Sequence, residues 1–349
     1  MATNIPADVR ARNFNQSTRR NLQYLGSQTG AENGSVTFNI PKARLLAGLK
    51  LMVNATLTAT HASSPTYTAH EDAPFKFIKR VTVSMNNGFN PFSVSGQALY
   101  AYNCTMRGAA QLTPATSGRG AIVQGLTASS GGTANTVRMC LDVPIAINPR
   151  DPIGLLMLQD DATLCTVTVD LGAVGDLAPA ASNYSFAVSA VSVGLSTDTY
   201  SIPANPDAFP DISVLKFVQE RTETIVAAEN IIKLPVGQTY RKLGFVLYST
   251  APARQADSII TSPISLIFNQ ADTPINITAA ELAAVNAIAY GGALPSGIFW
   301  LDFADQGLVN LGGSRDYIDT QKLTEFWLRF TSSAAGSLKV ITETVSRLG

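Results

Sequence analysis

The chain has 349 residues, of which 46% are hydrophobic and only 14% are charged, and its formal net charge is zero. This length and apolar content exclude an intrinsically disordered chain and allow two domains with cores of their own. Because a net charge near zero promotes association, a surface this poor in charge fits a protein covered by copies of itself. A wettable surface rich in Ser, Thr and Asn, as on many secreted β-proteins, explains the composition equally well.

The three cysteines, Cys104, Cys140 and Cys165, form neither a disulfide framework nor a zinc motif, because their number is odd and no CxxC occurs. We expect Cys140 and Cys165 to be buried, since both lie in strand-like runs, and this fits folding in a reducing cytoplasm. The N-terminus carries no apolar segment that predicts a secretory signal. The longest apolar runs are far shorter than the roughly 20 residues of a membrane span.

Residues 1–33 are predicted to form an N-terminal arm, because they are polar and cationic and would pack poorly as core. Before residue 30 the only acidic residue is Asp8. A solvated tail is one interpretation, since such tails are common at termini. The functional interpretation is an arm that meets an anionic surface, either phospholipid headgroups or nucleic acid. The arginines that would make this contact are Arg10, Arg12, Arg19 and Arg20.

The next part of the chain reads as strands separated by turns, and we assign residues 34–205 to a first β-domain. The sequence at 86–88 favours a tight turn, and Ser95 is a plausible N-cap for a short helix that continues to Met106. Residues 114–136 are rich in Gly, Ser and Thr and predict a long loop. The predicted strands are 35–40, 49–60, 75–85, 137–147, 164–171 and 184–195.

Three prolines within residues 201–212 mark the domain boundary, so the second β-domain is assigned to residues 206–349. In this half Thr278 and Glu281 form a capping box, which predicts a helix over 279–290 that ends at two glycines. The last predicted strands are 298–303, 323–331 and 337–345. Long alternating strands without regular strand–helix alternation favour antiparallel sandwiches over a parallel α/β fold.

The two halves of the chain echo each other in order. Residues 40–56 resemble residues 234–250, and residues 86–99 match residues 269–282 without a gap. Two weaker echoes follow, the first between residues 141–143 and 301–303 and the second between alternating positions near 165–169 and 326–330. A repeat of this length has the size of a whole domain, so we interpret the chain as one β-rich unit used twice. Each unit then carries one short helix at the same point.

Little in the sequence points to catalysis or to a cofactor. His61 and His70 are the only histidines, and both lie in a polar stretch typical of exposed loops. No nucleophile elbow, P-loop or dinucleotide motif is present, and aromatic residues are not interleaved with Lys and Arg. The acidic pairs 160–161 and 302/305 are more typical of turns than of a sugar-hydrolysing site. We therefore predict a structural protein that has no enzymatic activity, cofactor, metal or sequence-specific nucleic acid.

The duplicated unit, with a helix after a Pro-containing turn in each copy, resembles the double jelly-roll major capsid proteins of tailless icosahedral viruses, the tectivirus and adenovirus lineage. The turns and helices concerned are residues 91–100 and 274–282. Residues 75–81, which lead into 86–88 and 94–96, look especially like the small membrane-containing phage members. The resemblance covers residues 34–349 and is architectural.

The resemblance implies an all-β fold of two tandem eight-stranded antiparallel jelly rolls, each with a short inserted helix. It further implies a homotrimeric, pseudo-hexagonal capsomer that tiles an icosahedral virion, with minor capsid proteins such as a penton protein as partners. In many such viruses a lipid membrane lies beneath the shell and the N-terminal arm faces it. The chain would then be made in the host cytoplasm and reside in the virion.

Two other classes of protein stay open at this point. A tandem β-sandwich carbohydrate-binding or adhesin module would be secreted and would expose aromatic platforms. A bicupin metalloenzyme would need several histidine ligands on its strands, which two histidines cannot supply for two sites. The oligomeric state distinguishes the first of these from a capsid protein, because a binding module is expected to be monomeric.

Overall fold

The structure is a computed structural model that describes residues 7–63, 66–68, 73–86, 88–107, 112, 125–147, 153–159, 163–178, 181, 183–209, 212–249, 253–304 and 317–347. The helices are α1 (Ala7–Ser17), α2 (Ala73–Lys76), α3 (Gly96–Arg107), α4 (Val174–Leu177) and α5 (Ala279–Ala289). The strands of the first half are β1 (Arg20–Thr29), β2 (Ser35–Asn39), β3 (Leu45–Thr60), β4 (Thr66–Thr68), β5 (Ile78–Met85), β6 (Phe89–Val94), β7 (Gly125–Thr127), β8 (Thr133–Pro144), β9 (Leu156–Met157), β10 (Cys165–Leu171) and β11 (Ser185–Tyr200). Those of the second half are β12 (Val214–Ile225), β13 (Glu229–Lys233), β14 (Thr239–Ser249), β15 (Ile264–Phe268), β16 (Asp272–Ile277), β17 (Ile298–Asp302), β18 (Ile318–Asp319), β19 (Phe326–Thr331) and β20 (Gly336–Arg347).

The first roll packs two four-stranded antiparallel sheets around one core. One sheet has the order β1-β11-β3-β8, and the other has the order β2-β10-β5-β6. Alternate residues of each strand point inward, as in β10, where every second side chain from Cys165 to Leu171 is buried. The core lies between the sheets and draws on both of them, with Leu51 and Val53 from one and Val83 and Val167 from the other.

The second roll repeats this arrangement strand for strand. Its sheets have the orders β12-β20-β14-β17 and β13-β19-β15-β16, and its separate core includes Phe245, Leu266, Phe299 and Leu328. Without the short strands β4, β7, β9 and β18, each unit has eight strands in chain order. The first, eighth, third and sixth of them form one sheet, and the second, seventh, fourth and fifth form the other. This is the jelly-roll connectivity, with α3 and α5 inserted between the fifth and sixth strands. The predicted fold class, two eight-stranded rolls with a short helix each, is therefore confirmed.

The two rolls are joined edge to edge as well as by the chain. Strand β6 of the first roll pairs in parallel with β12 of the second, with Phe92 opposite Val218 and Ser93 opposite Gln219. One sheet therefore runs from the first roll into the second, in the order β17-β14-β20-β12-β6-β5-β10-β2. The two separate cores agree with a division near residue 205, which itself stays a prediction.

Structural detail supports the echo between the two halves. Asn86 and Asn269, which occupy matching positions, both adopt a left-handed backbone conformation, with φ of 47° and 49°. The Asn86 carboxamide accepts a hydrogen bond from Leu164 N, and the Asn269 carboxamide accepts one from Thr324 N. Asparagine tolerates this backbone region and bonds locally through its side chain, which explains its use at both turns.

A second matching pair fastens the inserted helices to their sheets. In α3 the side chain of Asn103 donates to Asp142 O and accepts from Asp142 N, each at 2.8 Å. In α5 Asn286 donates to Trp300 O at 2.8 Å and accepts from Trp300 N at 2.9 Å. Both bonded residues lie on strands that end their sheets, β8 and β17. Each asparagine thus completes the outer edge of a terminal strand, which is otherwise open to pairing with another chain.

We expect Asn286→Ala to lower the free energy of unfolding by about 2–4 kcal/mol, because it leaves the buried backbone N–H and C=O of Trp300 without partners. Urea denaturation at fixed protein concentration measures this change. The control is Asn15→Ala on the exposed face of α1, for which the expected change is within about 0.5 kcal/mol. Equal urea midpoints for the two variants would contradict the assigned role of Asn286.

The prediction that residues 1–33 form an arm outside the first roll is wrong for the second half of this segment. Residues Arg20–Thr29 form β1, which pairs antiparallel with β11 and is the first of the eight strands of the first roll. Preceding it, α1 places Phe14, 1% exposed, against Leu45, Ala146 and Leu155. The composition misled because β1 is an edge strand whose residues are mostly exposed on both faces, so apolar alternation is absent.

Other local predictions also need correction. Cys165 is buried as expected, but Cys140 is exposed, because its side chain points away from the core of the first roll. The predicted strand 75–85 begins with the helical turn α2, and strand pairing starts only at Ile78. The predicted loop 114–136 overlaps β7 and the first residues of β8, while residues 114–124 lie outside the described part of the chain.

Candidate functional site

The catalytic and metal-binding candidates do not come together in the structure. No group of three or more His, Cys, Asp or Glu side chains in the described residues has the geometry to hold a metal ion. His61 accepts a hydrogen bond from Ser63 N at 3.1 Å, and its ring lies 4.5 Å from that of Tyr184. Asp302 forms an ion pair with Lys242 at 2.6 Å. His70, Asp305 and the pair 160–161 lie outside the described residues.

The four predicted arm arginines have different surroundings. Arg20, on β1, makes a two-bonded ion pair with Asp198 on β11, and one of its bonds measures 2.8 Å. This hydrogen bonding raises the pKa of the Arg20 guanidinium. Arg12 and Arg19 are exposed, and Arg10 is half-buried on α1. The segment that carries Arg10, Arg12 and Arg19 is held to the first roll by Phe14, whose ring centroid lies 5.4 Å from that of Tyr200.

The most elaborate polar arrangement lies where α3 of the first roll packs on the outer face of the second roll. Tyr102 projects from α3 onto this face, and its ring meets the Trp300 indole edge-on, with 5.7 Å between the centroids. Apolar residues of the second roll that point away from its own core join the first core here, among them Val246, Ile341 and Trp300. The outer face of the β12-β20-β14-β17 sheet is therefore a buried interface between the rolls.

A charged cluster is buried in this interface around Glu343, which is 0% exposed. Its carboxylate accepts hydrogen bonds from Tyr102 Oη of the first roll and from Arg241 Nη1 of β14. Arg241 also donates to Tyr317 Oη at 2.8 Å and to Ile147 O of the first roll at 3.3 Å. The carboxylate and guanidinium groups therefore bond to both rolls at once.

Lys216 of β12 completes the cluster at 5% exposure, with its ammonium 5.8 Å from the centre of the Tyr102 ring. Burial lowers the pKa of Lys216 to about 7, against a partial opposing effect of the Glu343 charge. Burial also acts to raise the pKa of Glu343, but the charges of Arg241 and Lys216 outweigh it, so that pKa is lowered. Burial raises the pKa of the Tyr102 phenol well above its ordinary value.

A second polar contact fixes the start of α3 to the second roll. Ser95 caps the helix, accepting a hydrogen bond from Ala98 N at 3.3 Å. The backbone N–H of Ser95 donates to Glu220 of β12 at 2.5 Å, and Lys339 of β20 donates to the Ser95 hydroxyl at 3.1 Å. Lys339 and Glu220 are themselves paired at 2.6 Å. Both ends of the interface are therefore specified by hydrogen bonds, which sets the orientation of one roll on the other.

None of the helices in the described ranges has the length and apolar composition of a membrane span. Among the described residues, the reactive groups considered as candidates do not converge in a cleft. The main structural features are two rolls, a buried interface between them, and sheets that end at β1 and β16. Such features suit a building block that associates through its sides.

Comparisons with known proteins agree with this architecture. No protein-family model matches the sequence, and no curated protein matches it. Among solved structures, the STIV major capsid protein matches at a TM-score of 0.72 and 13% identity, with 94% of this chain and 97% of that chain covered. The PBCV-1 virus capsid matches at a TM-score of 0.64 and 10% identity, covering 94% and 93%. The major capsid protein P2 of bacteriophage PM2 matches at 0.55 and 12%, covering 95% and 98%.

At such low identities the likeness concerns the fold, and it extends over nearly the whole of each chain. The matches include proteins of a Sulfolobus virus and of a bacteriophage, as their names record. The strand order of the two rolls and these matches lead to the same conclusion. The chain has the double jelly-roll fold of viral major capsid proteins.

Proposed function

We propose that this chain is the major capsid protein of a tailless icosahedral virus, and that three copies form a pseudo-hexagonal capsomer of the shell. The observation that carries the proposal is the presence of two jelly rolls in one chain, side by side, with a buried and hydrogen-bonded interface between them. Three such chains present six similar sides, which suits hexagonal tiling. The chain acts structurally, not as an enzyme, and its main partner is itself.

The alternative of a tandem carbohydrate-binding or adhesin module is less well supported. Domains that act separately are expected to share a small, polar interface, whereas here charged groups and a helix are buried between the rolls. The near-complete coverage of the STIV capsid protein also favours the capsid function, since 97% of that chain is matched. Shell assembly would further require minor capsid proteins, such as a penton protein at the fivefold vertices.

The purified protein tests this proposal directly. Size-exclusion chromatography with light scattering should give a mass of three times 36.9 kDa, and electron microscopy of the same fraction should show hexagonal particles. We expect the contacts between chains to bury more than roughly 2,000 Å², as in obligate assemblies. A monomer that stays soluble on dilution would refute the capsid function and favour a binding module.

We further propose that the arginine-bearing N-terminal segment lies on the inner side of the shell, against an internal lipid membrane. Arg10, Arg12 and Arg19 would make the main contribution, while Arg20 contributes less because Asp198 engages it. Each Lys or Arg near an anionic membrane surface contributes about 1 kcal/mol. Three such segments per capsomer, and many capsomers per shell, would bind by avidity.

Replacing Arg10, Arg12 and Arg19 together by glutamine is expected to leave capsomers intact and to make assembly on the membrane fail or become salt-sensitive. The reason is the loss of about 3 kcal/mol of attraction per chain at low ionic strength. Flotation of capsomers with anionic vesicles, over a range of salt concentrations, measures the effect. The control is Arg20→Gln, which should bind vesicles nearly as the wild type does. Equal flotation of the triple variant and the wild type would rule out this role for the arginines.

A further inference from the structure

The two inserted helices occupy equivalent positions but are covered differently. Helix α3 is buried from Gly96 to Cys104, because the second roll of the same chain packs on it. Helix α5 buries only Ala279, Leu282 and Asn286. Its outer face is apolar and open, with Val285 51% exposed and Ile288 85% exposed. An exposed apolar helix face of this kind is a candidate surface for contact with another molecule.

The gapless match between the halves identifies which residue of α5 takes the place of Tyr102. Asn103 of α3 and Asn286 of α5 make the same pair of backbone hydrogen bonds, and these bonds align the two helices. The residue before each asparagine is Tyr102 in α3 and Val285 in α5. Tyr102 is 5% exposed and packs on Trp300 of the neighbouring roll. Val285 therefore occupies the contact position of its helix, with no neighbouring roll on it in the described chain.

The face that Tyr102 packs on can be located in the strand register of the second roll. Lys242 of β14 lies opposite Asp302 on one side and opposite Glu343 on the other. Glu343 in turn lies opposite Val218 of β12, which pairs with β6 of the first roll. The Lys242–Asp302 ion pair thus marks one row across the outer face of this sheet.

The first roll carries the same row on its own outer face. Lys50 of β3 lies opposite Asp142, with which it forms an ion pair at 2.8 Å, and opposite Ser196 on β11. Ser196 lies opposite Tyr24 of β1. Tyr24 therefore takes the position of Val218, but it is 63% exposed where Val218 is 1% exposed.

The position of Trp300 is taken in the first roll by Cys140, since each lies two residues before the aspartate of the ion pair. Cys140 is exposed. Next to it Met52, 41% exposed, lies opposite both Cys140 and Gly194. The Tyr24 ring lies over Gly194, where a Cβ added to this glycine would be in van der Waals contact with the ring at 3.6 Å. Tyr24, Met52 and Cys140 form an exposed apolar row, which we name the outer row of the first roll.

We propose that Val285 and Ile288 of α5 in one copy pack on the outer row of the first roll in the next copy, repeating between chains the junction that Tyr102 makes within a chain. The occupant of both surfaces is a second copy of this chain. The proposal rests on the proposed capsomer and names the residues that hold it together. The supporting observation is that both sides of the interface within the chain have exposed counterparts. The open face of α5 corresponds to the face of α3 that carries Tyr102, and the outer row of the first roll corresponds to the face of the second roll that Tyr102 contacts.

The sheet edges fit the same arrangement. Within the chain, the edge of β6 pairs with the edge of β12. The counterparts of these strands, β16 and β1, each end their sheet in the described structure. If α5 of one copy packs on the first roll of the next copy as α3 packs on the second roll within a chain, β16 of one chain lies beside β1 of the next. Each chain then offers one helix face and one outer row, so three chains complete a closed ring.

Cross-linking tests the contact in the assembled protein, because the outer row contains a native exposed cysteine. In a Val285→Cys variant, a short bismaleimide is expected to join that position to Cys140 of the next chain. Denaturing gels should show two-chain and three-chain products and no larger ones. The other two cysteines, Cys104 and Cys165, are buried. Adding Cys140→Ser to the variant should abolish the products.

A matched control comes from Val226, which has the same side chain and the same exposure of 51% but follows the end of β12 and is not part of α5. Val226→Cys should cross-link at least tenfold more slowly. In parallel, Val285→Glu is expected to weaken the capsomer about 100-fold or more on dilution, because it buries an unpaired carboxylate, whereas Val226→Glu should leave it unchanged.

The outcomes separate this inference from the proposed function. The proposed contact is wrong if the wild type forms a capsomer but Val285→Cys cross-links no faster than Val226→Cys. It is also wrong if Val285→Glu stays fully associated. Either result leaves the capsid function standing. A wild-type protein that is monomeric by light scattering overturns both. Unfolding of Val285→Glu is excluded as an explanation if its monomer keeps the wild-type circular dichroism spectrum.

Discussion

Replacing Glu343 by glutamine is expected to lower the free energy of unfolding by about 3–5 kcal/mol, although the side chain keeps its size. The carboxylate is fully buried and is the counter-ion of Arg241, which is 7% exposed, and of Lys216, which is 5% exposed. Removing one member of a buried ion cluster leaves the remaining charges without compensation in a medium of low polarity, and this costs far more than the pair itself contributes. Chemical denaturation at pH 7 measures the change.

The control for this prediction is Glu229→Gln. Glu229 faces Arg329 at 3.8 Å, and its side chain is 60% exposed, so water already compensates both charges. The expected loss there is within about 1 kcal/mol. The double variant Glu343→Gln with Lys216→Met should be more stable than Glu343→Gln alone, because it also removes a buried amine that has lost its counter-ion. If Glu343→Gln and Glu229→Gln lose the same free energy, the cluster does not hold the rolls together.

The duplication could be recognised from the sequence because the residues that indicate it determine local structure. The turn asparagines, the helix caps and the residues of the gapless match act within a few positions of the chain, so they recur wherever the unit recurs. The helix predicted after Ser95 and the helix predicted from the capping box are both present, as Gly96–Arg107 and Ala279–Ala289. The capping box itself forms, with Glu281 N donating to Thr278 Oγ1 at 3.2 Å.

The first strand was missed because its role depends on its place in the sheet. Strand β1 lies at the end of the β1-β11-β3-β8 sheet, and its burial pattern lacks clear alternation. An edge strand whose two faces are mostly exposed needs few apolar residues, so its composition resembles that of a polar arm. Its counterpart β12 was not predicted either, and it differs from β1 because the first roll covers its outer face, where Val218 is buried.

The buried charged cluster could not be predicted from periodicity. In a single roll, alternate residues of β12 and β20 point inward or outward, and outward means toward solvent. Lys216 and Glu343 stand at outward positions, where a lysine and a glutamate are ordinary. Here the outward face of the second roll is covered by α3 of the first, so the same residues become buried. Their burial depends on the packing of two domains, and the alternation of residues along one strand does not report that packing.

Relative to the Lys216→Met variant, the wild-type protein is expected to gain stability as the pH rises between about 7 and 10.5. The pKa of Lys216 is about 7 in the folded protein, against 10.5 for an ordinary lysine. Between these values the unfolded chain binds a proton that the folded chain does not. The contribution of Lys216 to stability therefore increases with pH, by up to about 1.4 kcal/mol per pH unit.

The groups that face Lys216 do not reverse this sign. Glu343 has a lowered pKa and stays ionised throughout, and the Tyr102 phenol has a raised pKa and stays protonated. Denaturation curves from pH 7 to 10 for the wild type, Lys216→Met and the exposed-lysine control Lys322→Met measure the difference. Thiols with raised pKa values, such as Cys165, act in the opposite direction but equally in all three proteins, so they cancel. A wild-type curve parallel to that of Lys216→Met would show that Lys216 remains charged in the junction, and the lysine would then stabilise the Glu343 cluster at every pH in the range.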